Sequence, residues 1–151
     1  MPISSINIYT LKQVKESTVQ YDIGKYTITS PDACYIILQQ TLDLKSASVE
    51  KFGIITLTSK SKIAGIHIIS MGTLDSTPVE PREVYKAALM NNARAIIAFH
   101  NHPSGDPSPS QSDISLTTLL KYAGDVLKIQ LMDHIIIGDE KFVSLRQRKM
   151  L

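Results

Sequence analysis

Three potential metal ligands lie close together in the middle of the chain. His100 and His102 flank Asn101, and Asp113 follows after ten intervening residues. Two imidazoles and one carboxylate are a donor set with which a catalytic zinc site holds its metal while a fourth position stays open for water. These residue types therefore predict a metal site that activates water.

The elements around these residues should bring them together. An apolar run of strand length, residues 94–99, leads into His100. On a strand, residues i and i+2 face the same side, so both imidazoles point one way and Asn101 points the other. Asp113 lies at the start of an apolar-periodic segment that indicates a helix, three residues after Ser110. The connecting loop is stiffened by its turn-forming residues, which are Pro103, Gly105, Pro107 and Pro109.

Ordinary structural explanations are open for the same residues. A His-x-His pair alone is more often found on a surface or in a core than on a metal. Ser110 and Asp113 also have the spacing of a helix capping box, which would account for the carboxylate without any metal. The conjunction of two histidines, a polar loop and a carboxylate after a buried strand nevertheless favours a metal site.

The motif carries a family resemblance. The sequence HNHPSGDPSPSQSD of residues 100–113 resembles the JAMM motif in the form found in the RadC family. Similar segments flank it, namely residues 72–74, Val79 and 81–84 upstream and 133–138 and 142–145 downstream. The similarity runs from about Ser30 to the C-terminus. It implies a three-layer, mixed-sheet α/β domain with the JAMM/MPN fold, which is similar to cytidine-deaminase-like architectures.

The resemblance also implies an activity, that of a JAMM-type zinc metallopeptidase or isopeptidase. Zn²⁺ would be held by His100, His102 and Asp113. JAMM proteins use a glutamate as the proton carrier, and Glu50, two residues before the strand that starts at Phe52, is the best positional candidate.

Two other glutamates compete for this role. Glu80 and Glu83 flank Pro81-Arg82 at a predicted helix start, where complementation of the helix dipole and capping are the ordinary explanation. The choice between Glu50 and these two residues stays open at this point.

The resulting mechanism is amide hydrolysis of a peptide or protein substrate. A zinc-bound water has a pKa of about 7. Glu50 would take its proton and deliver it to the leaving amine. Ser110 stands at the serine position of the JAMM pattern, where the hydroxyl stabilises the oxyanion. A donor of this kind contributes on the order of 3 kcal/mol. Ser110 as a helix N-cap is the alternative explanation.

Composition agrees with one globular domain. The 151 residues are 43% hydrophobic and 20% charged, which is enough for a core and not typical of disorder. The single cysteine, Cys34, cannot form an internal disulfide and is expected to be a buried apolar residue. No apolar stretch is long enough to span a bilayer, and the first residues lack signal-peptide features. We expect a cytoplasmic protein without a membrane partner.

The charge distribution gives little support to nucleic-acid binding. The formal net charge is +2, and the basic residues form only small clusters, at residues 51–62 and 146–149. A DNA-repair or recombination-associated accessory protein without protease activity is still an alternative, because the RadC name suggests it. Longer family members carry an N-terminal helix-hairpin-helix-like region, and from the roughly thirty residues before the shared domain we expect no such module in this sequence.

Further alternatives concern the metal and the assembly. Two histidines and a carboxylate also describe the facial triad of non-haem iron enzymes. A catalytically silent scaffold is disfavoured because all three ligands are present. We divide the chain into an N-terminal extension, residues 1–29, and a JAMM/MPN-like domain, residues 30–151. The extension could pair with a neighbour in a homo-oligomer.

The periodicity predicts alternating helices and strands. Helices are predicted at residues 31–42, 81–91 and 110–127, and strands at 52–57, 63–69, 95–99, 129–132, 135–137 and 142–145. Two shorter strand-like pieces lie at residues 6–9 and 26–28. His67 is expected to be an ordinary strand residue, Asn101 to bond loop backbone, and His134 to support the site without binding the metal.

Overall fold

The structure is a computed structural model that describes residues 5–20, 28, 30–72 and 79–151. Most of this part of the chain is organised in helices and strands. In chain order they are α1 (Pro31–Leu42), β1 (Lys51–Leu57), β2 (Ile63–Met71), α2 (Pro81–Met90), β3 (Ala95–Asn101), α3 (Gln111–Leu127), β4 (Gln130–Ile137) and β5 (Phe142–Ser144). A single 3₁₀ turn, Leu44–Ser46, follows α1.

The strands form one mixed sheet in the order β2-β1-β3-β4-β5. Strands β3 and β4 are parallel and are joined by α3, whereas the other neighbouring pairs are antiparallel. A parallel pair needs a crossover of this kind, so the chain leaves the end of β3, enters α3, and returns to the start of β4. The start of α3 therefore lies at the edge of the sheet where β3 ends.

Helices cover both faces of the sheet. Alternate residues of β3 pack into different clusters, because successive side chains of a strand point to opposite sides. Ile97 and Phe99 pack with Cys34 of α1, and we call this side the α1 face. Ile96 packs with Val84 of α2 and with residues of α3, and this is the α2–α3 face. The three-layer α/β fold expected from the sequence is thus confirmed.

Two helices begin with the serine caps that the sequence indicated. Ser30 Oγ accepts a hydrogen bond of 3.2 Å from the backbone N–H of Ala33 at the start of α1. Pro31 takes the first helical position, where a missing N–H leaves no bond unmade. At the start of α3, Ser110 and Asp113 form a complete capping box. These local signals place both helix starts correctly.

The structure corrects the prediction of two short strands at residues 129–132 and 135–137. Strand β4 runs without interruption through Asp133 and His134. Asp133 is tolerated there because it accepts hydrogen bonds from Ser144 Oγ at 2.6 Å and from the backbone N–H groups of His134 and Arg146. The polar pair thus belongs inside the sheet.

The predicted N-terminal strand at residues 6–9 is wrong, because this segment has neither helical nor strand structure. Of the piece predicted at residues 26–28, only Ile28 is described, and it lies outside the strands; residues 26 and 27 lie outside the described part of the chain.

The single cysteine lies in the core. Cys34 is 1% exposed, and burial raises the pKa of its thiol far above the ordinary value. It packs as a buried apolar residue, as the sequence indicated. A thiol in such surroundings is unreactive. None of the described helices combines the length and the apolar character needed to cross a membrane.

Candidate metal centre

Three donor atoms converge where β3 ends and α3 begins. His100 Nε2 lies 3.0 Å from His102 Nε2 and 3.1 Å from Asp113 Oδ1. His102 Nε2 lies 3.4 Å from Asp113 Oδ2. The structure therefore brings the three predicted ligands together, although the loop of residues 103–110 separates the two histidines from α3 and its Asp113.

Strand β3 positions the first two of these residues. His100 is fully buried on the α2–α3 face, where its ring stacks beside that of Phe52 at 6.1 Å between centroids. Asn101 points to the other side, as predicted, and bonds backbone: its Oδ1 accepts from Lys51 N at 2.7 Å and its Nδ2 donates to Val49 O at 3.1 Å. These bonds fix the end of β3 next to the start of β1.

The loop orients His102. Its Nδ1 lies 2.8 Å from the carbonyl oxygen of Asp106, which can only accept, so Nδ1–H is the donor. In the neutral ring, Nε2 then carries the lone pair and faces His100 and Asp113. The hydrogen bond with Asp113 raises the pKa of His102, against the lowering effect of burial.

Asp113 serves the helix and the candidate site at once. Its Oδ2 accepts from the backbone N–H of Ser110 at 2.7 Å, and its carboxylate also contacts both imidazoles. Burial raises the pKa of this carboxyl, but its contacts with the imidazoles of His100 and His102 outweigh that effect and hold its pKa well below the usual range. The capping explanation and the metal-site explanation are therefore compatible.

Glu50 stands next to these donors. Its Oε1 lies 3.9 Å from His100 Nε2, and its side chain is 16% exposed. Ligand atoms of Glu50, His100 and His102 lie within 4.8 Å of one another, so these three residues form a second possible donor group. Two carboxylates and two imidazoles thus surround one small volume.

The distances distinguish the two carboxylates. Zn–N and Zn–O bonds of about 2.0–2.1 Å put neighbouring ligands of a tetrahedral site about 3.3 Å apart. The contacts among His100, His102 and Asp113, at 3.0, 3.1 and 3.4 Å, scatter around this value. The 3.9 Å between Glu50 and His100 is longer. His100, His102 and Asp113 therefore have the spacing of three ligands around one small metal ion, and Glu50 lies beside them.

The loop that joins the ligands is packed against the end of β4. Asp139 N donates to Gly105 O at 2.8 Å, and His102 N donates to Ile137 O at 2.8 Å. A Cβ added at Gly138 would lie 2.3 Å from Gly105 O and 2.6 Å from Pro107 Cδ. A glycine is needed at this position because the loop backbone approaches it so closely.

Two supporting residues lie behind His100. His134 is fully buried, and its Nε2 lies 2.8 Å from His100 Nδ1. Its Nδ1 lies 2.6 Å from Thr117 Oγ1. The sequence indicated such a role for His134, but Thr117 was missed. Its position four residues after Asp113 on α3, on the same side of the helix, was the available signal.

The remaining candidates lie in ordinary surroundings. His67 Nε2 contacts Asn91 Oδ1 at 3.2 Å, so its ring is satisfied within the fold, as predicted. Glu83 forms an ion pair of 2.7 Å with Lys86 on the exposed side of α2. Glu80 is the exposed N-cap residue of α2. The hydrogen bond from Lys86 lowers the pKa of Glu83, which suits a surface ion pair.

The chain resembles known proteins over most of its length. The family model of the RadC-like JAB domain matches residues 28–150. A UPF0758 protein of Desulfitobacterium hafniense is 42% identical over 125 residues, covering 82% of this chain and 54% of that relative. A UPF0758 protein of Caldanaerobacter subterraneus is 42% identical over 123 residues, covering 82% and 52%, and one of Clostridium botulinum is 38% identical over 146 residues, covering 95% and 63%. The chain thus spans about half the length of most of these curated relatives, whose name states no activity.

Proposed function

Because the chain belongs to the RadC-like JAB domain family, we propose that it is a zinc-dependent hydrolase of peptide or isopeptide bonds. The observation that carries this proposal is the convergence of His100, His102 and Asp113 within 3.0–3.4 Å of one another. Family membership alone suggests only a JAMM-type hydrolase fold, so the activity, the metal and the substrate are all part of the proposal.

His100, His102 and Asp113 would hold the metal ion. Nitrogen and carboxylate donors at these separations suit zinc in a site with three protein ligands. Zinc supplies Lewis acidity, which polarises a carbonyl oxygen and makes water a better nucleophile at neutral pH. The protein side chains supply the remaining chemistry.

Glu50 is the proposed proton carrier. Its carboxylate lies beside the cluster, 3.9 Å from His100 Nε2, and is partly exposed to solvent. It would take a proton from the attacking water as the water oxygen adds to the amide carbon. It would then give that proton to the nitrogen as the C–N bond breaks, so that a carboxylic acid and an amine are released.

Ser110 is the proposed oxyanion donor. Its Oγ accepts the 3.1 Å hydrogen bond from Asp113 N that caps α3. This cap uses a lone pair, and a hydroxyl has two lone pairs and one proton. The hydroxyl proton can therefore point toward a substrate oxygen while the cap stays in place. Helix capping and catalysis need different parts of the same group.

The direct test combines metal analysis with a cleavage profile. The protein, purified without chelator, should contain about one zinc per chain. The zinc-loaded protein and its Glu50→Gln variant should then be incubated with a library of peptides derived from a proteome. The wild type is expected to cleave a subset, and the variant should be slower by about 10²–10⁴-fold while it retains zinc.

Glu83→Gln and Glu80→Gln are the matched controls. Each substitution removes the charge of a glutamate that the sequence analysis considered as an alternative proton carrier. Both residues are exposed at the start of α2. We expect wild-type cleavage from both. A protein without bound metal, or a Glu50→Gln variant with an unchanged cleavage profile, would contradict the proposal.

A further inference from the structure

A chain of hydrogen bonds runs behind His100. Thr117 Oγ1 lies 2.6 Å from the backbone oxygen of Asp113 and 2.6 Å from His134 Nδ1. His134 Nε2 lies 2.8 Å from His100 Nδ1. The side chains of Thr117, His134 and His100 are all fully buried, so bulk solvent does not contact them. The donors and acceptors of these side chains must therefore be satisfied by one another.

The threonine sets the direction of the chain. A backbone carbonyl can only accept a hydrogen bond, so Thr117 donates its single proton to Asp113 O. Toward His134 the hydroxyl then offers a lone pair. His134 Nδ1 must carry the hydrogen in that contact, because two facing lone pairs at 2.6 Å would repel each other.

The tautomer of His134 in turn determines which nitrogen of His100 carries the hydrogen. A second proton would leave a full charge on the His134 ring, which is 0% exposed and has no carboxylate among its hydrogen-bond partners in the described structure. The ring is therefore neutral, with its hydrogen on Nδ1 and a lone pair on Nε2. This lone pair accepts from Nδ1–H of His100, and in a neutral His100 ring the lone pair is then on Nε2.

We propose that Thr117 and His134 are positioning residues that hold His100 in the Nδ1–H tautomer. The Nε2 lone pair of His100 then faces His102 and Asp113, as a metal ligand requires. The tautomer follows from the hydrogen bonds and the burial of these side chains. Its importance for zinc rests on the proposed function.

The two histidine ligands differ in how they are fixed. His102 donates to the carbonyl oxygen of Asp106, a group that cannot become a donor. His100 contacts another imidazole, which can take either tautomer. The orientation of His100 therefore depends on a hydroxyl one residue further away. A Thr117→Val substitution nearly keeps the shape of the side chain but removes the hydroxyl, so it should remove this constraint on His100.

The experiment reads the tautomer directly in the metal-free protein. Histidine labelled with ¹⁵N should be observed by NMR at a pH at which the rings are neutral. The wild type should show an unprotonated Nε2 on His100. In Thr117→Val this preference should be reduced or lost, and Thr117→Ser should restore it.

Zinc affinity is the second measurement, obtained by competition with a chelator. Loss of a supporting residue of this kind weakens metal binding by about 10–100-fold. We expect this loss in Thr117→Val and near wild-type affinity in Thr117→Ser. Thr56→Val is the matched control, because Thr56 is equally buried but bonds Gly65 O and Asn91. It should leave both the tautomer and the zinc affinity unchanged.

A double substitution isolates the relay from general damage to the core. In His134→Gln, an amide oxygen can accept from His100 Nδ1–H without help from a threonine. His134→Gln should therefore retain most of the zinc affinity, and adding Thr117→Val should weaken binding much less than it does in the wild type. Equal losses in both backgrounds would contradict the relay.

Two further results would overturn the inference. One is a wild-type His100 that carries its proton on Nε2. The other is a folded Thr117→Val protein with wild-type zinc affinity. By contrast, a zinc-loaded wild type that cleaves nothing would count against the proposed hydrolase function, and the tautomer measurement would still stand.

Discussion

Helices α1 and α3 begin alike but lie on opposite faces of the sheet. Each starts with a serine whose hydroxyl accepts a hydrogen bond from the backbone, and each has an aspartate in its first turn. Asp32 of α1 is exposed to solvent, whereas Asp113 of α3 is 1% exposed and contacts two imidazoles. The same capping pattern thus places its aspartate in solvent at the start of α1 and in a candidate active site at the start of α3.

The difference lies in what each helix start meets. On the α1 face, Ile97 and Phe99 of β3 present an apolar surface to α1. On the α2–α3 face, the same strand presents His100 at its end. The alternation of a strand thus separates packing from chemistry, and substitutions on the two faces should have different consequences.

The largest effect on stability should come from two phenylalanines on opposite faces. Phe99 and Phe52 are almost fully buried, and truncating either to alanine should lower the free energy of unfolding by about 3–5 kcal/mol. Phe99→Ala should leave zinc affinity unchanged. Phe52→Ala should also weaken zinc binding, because its ring contacts His100 and His134. Denaturant unfolding and chelator competition measure the two quantities, and equal zinc affinities would contradict the separation of the faces.

The two aspartates should differ in their effect on the free energy of zinc binding, and this effect should be smaller than that of the phenylalanines on stability. Asp113→Asn keeps an oxygen for the helix cap but removes the negative charge at the candidate site. We expect zinc affinity to fall by more than about 100-fold, the upper end for a supporting residue. Asp32→Asn should leave zinc affinity unchanged. An Asp113→Asn protein that binds zinc normally would remove Asp113 from the ligand set.

The two capping serines should show the same contrast at a lower level. Ser30→Ala and Ser110→Ala should each lower the free energy of unfolding by about 1 kcal/mol. Only Ser110→Ala should slow hydrolysis at saturating substrate, because only that hydroxyl is proposed to face the oxyanion. If both variants keep the wild-type rate, Ser110 acts as a cap alone.

The pH dependence of the metal-free protein is the smallest of these effects. His102 has a raised pKa in the folded state. Its contribution to folding stability is therefore fully present below pH 6.5, its ordinary pKa, and is lost as pH rises through the folded-state pKa. His134 has a pKa lowered by burial. The unfolded chain therefore takes up a proton below pH 6.5 that the folded state does not. Stability should be highest near pH 6.5 and fall on both sides.

His102→Gln is the control for this profile. It should remove the decline above pH 6.5 and keep the decline on the acid side. Urea unfolding of the chelator-treated protein across this range measures both slopes. An alkaline decline that persists in His102→Gln would have another origin.

The sequence predicted most of the fold because its signals are local. Strand alternation placed His100 and His102 on one side, and the pattern Ser30-Pro31-Asp32 placed the start of α1. The capping-box spacing did the same for α3, whose Asp113 also reaches the histidines. Local rules suffice for these features because the partners lie within a few residues of one another.

The errors occurred where the partners are distant in the sequence. Asp133 and His134 looked like a break in a strand, because neither residue suits a buried position without a partner. Their partners, Ser144, Thr117 and His100, lie 11 to 34 residues away, and only the fold brings them together. The strand prediction for residues 6–9 was wrong for the opposite reason, because a local pattern suggested a strand that no packing supports. The side chains of this segment alternate like those of a strand, but Ile6 and Ile8 are at least 90% exposed.

The contact between the ligand loop and Gly138 has one more consequence. Since Gly105 and Pro107 are already packed against the end of β4, little chain ordering is left for the arriving ion to bring about. Small zinc modules unfold when a chelator strips them. If the proposed zinc site exists, chelation should instead leave this domain folded, and zinc added back should bind again.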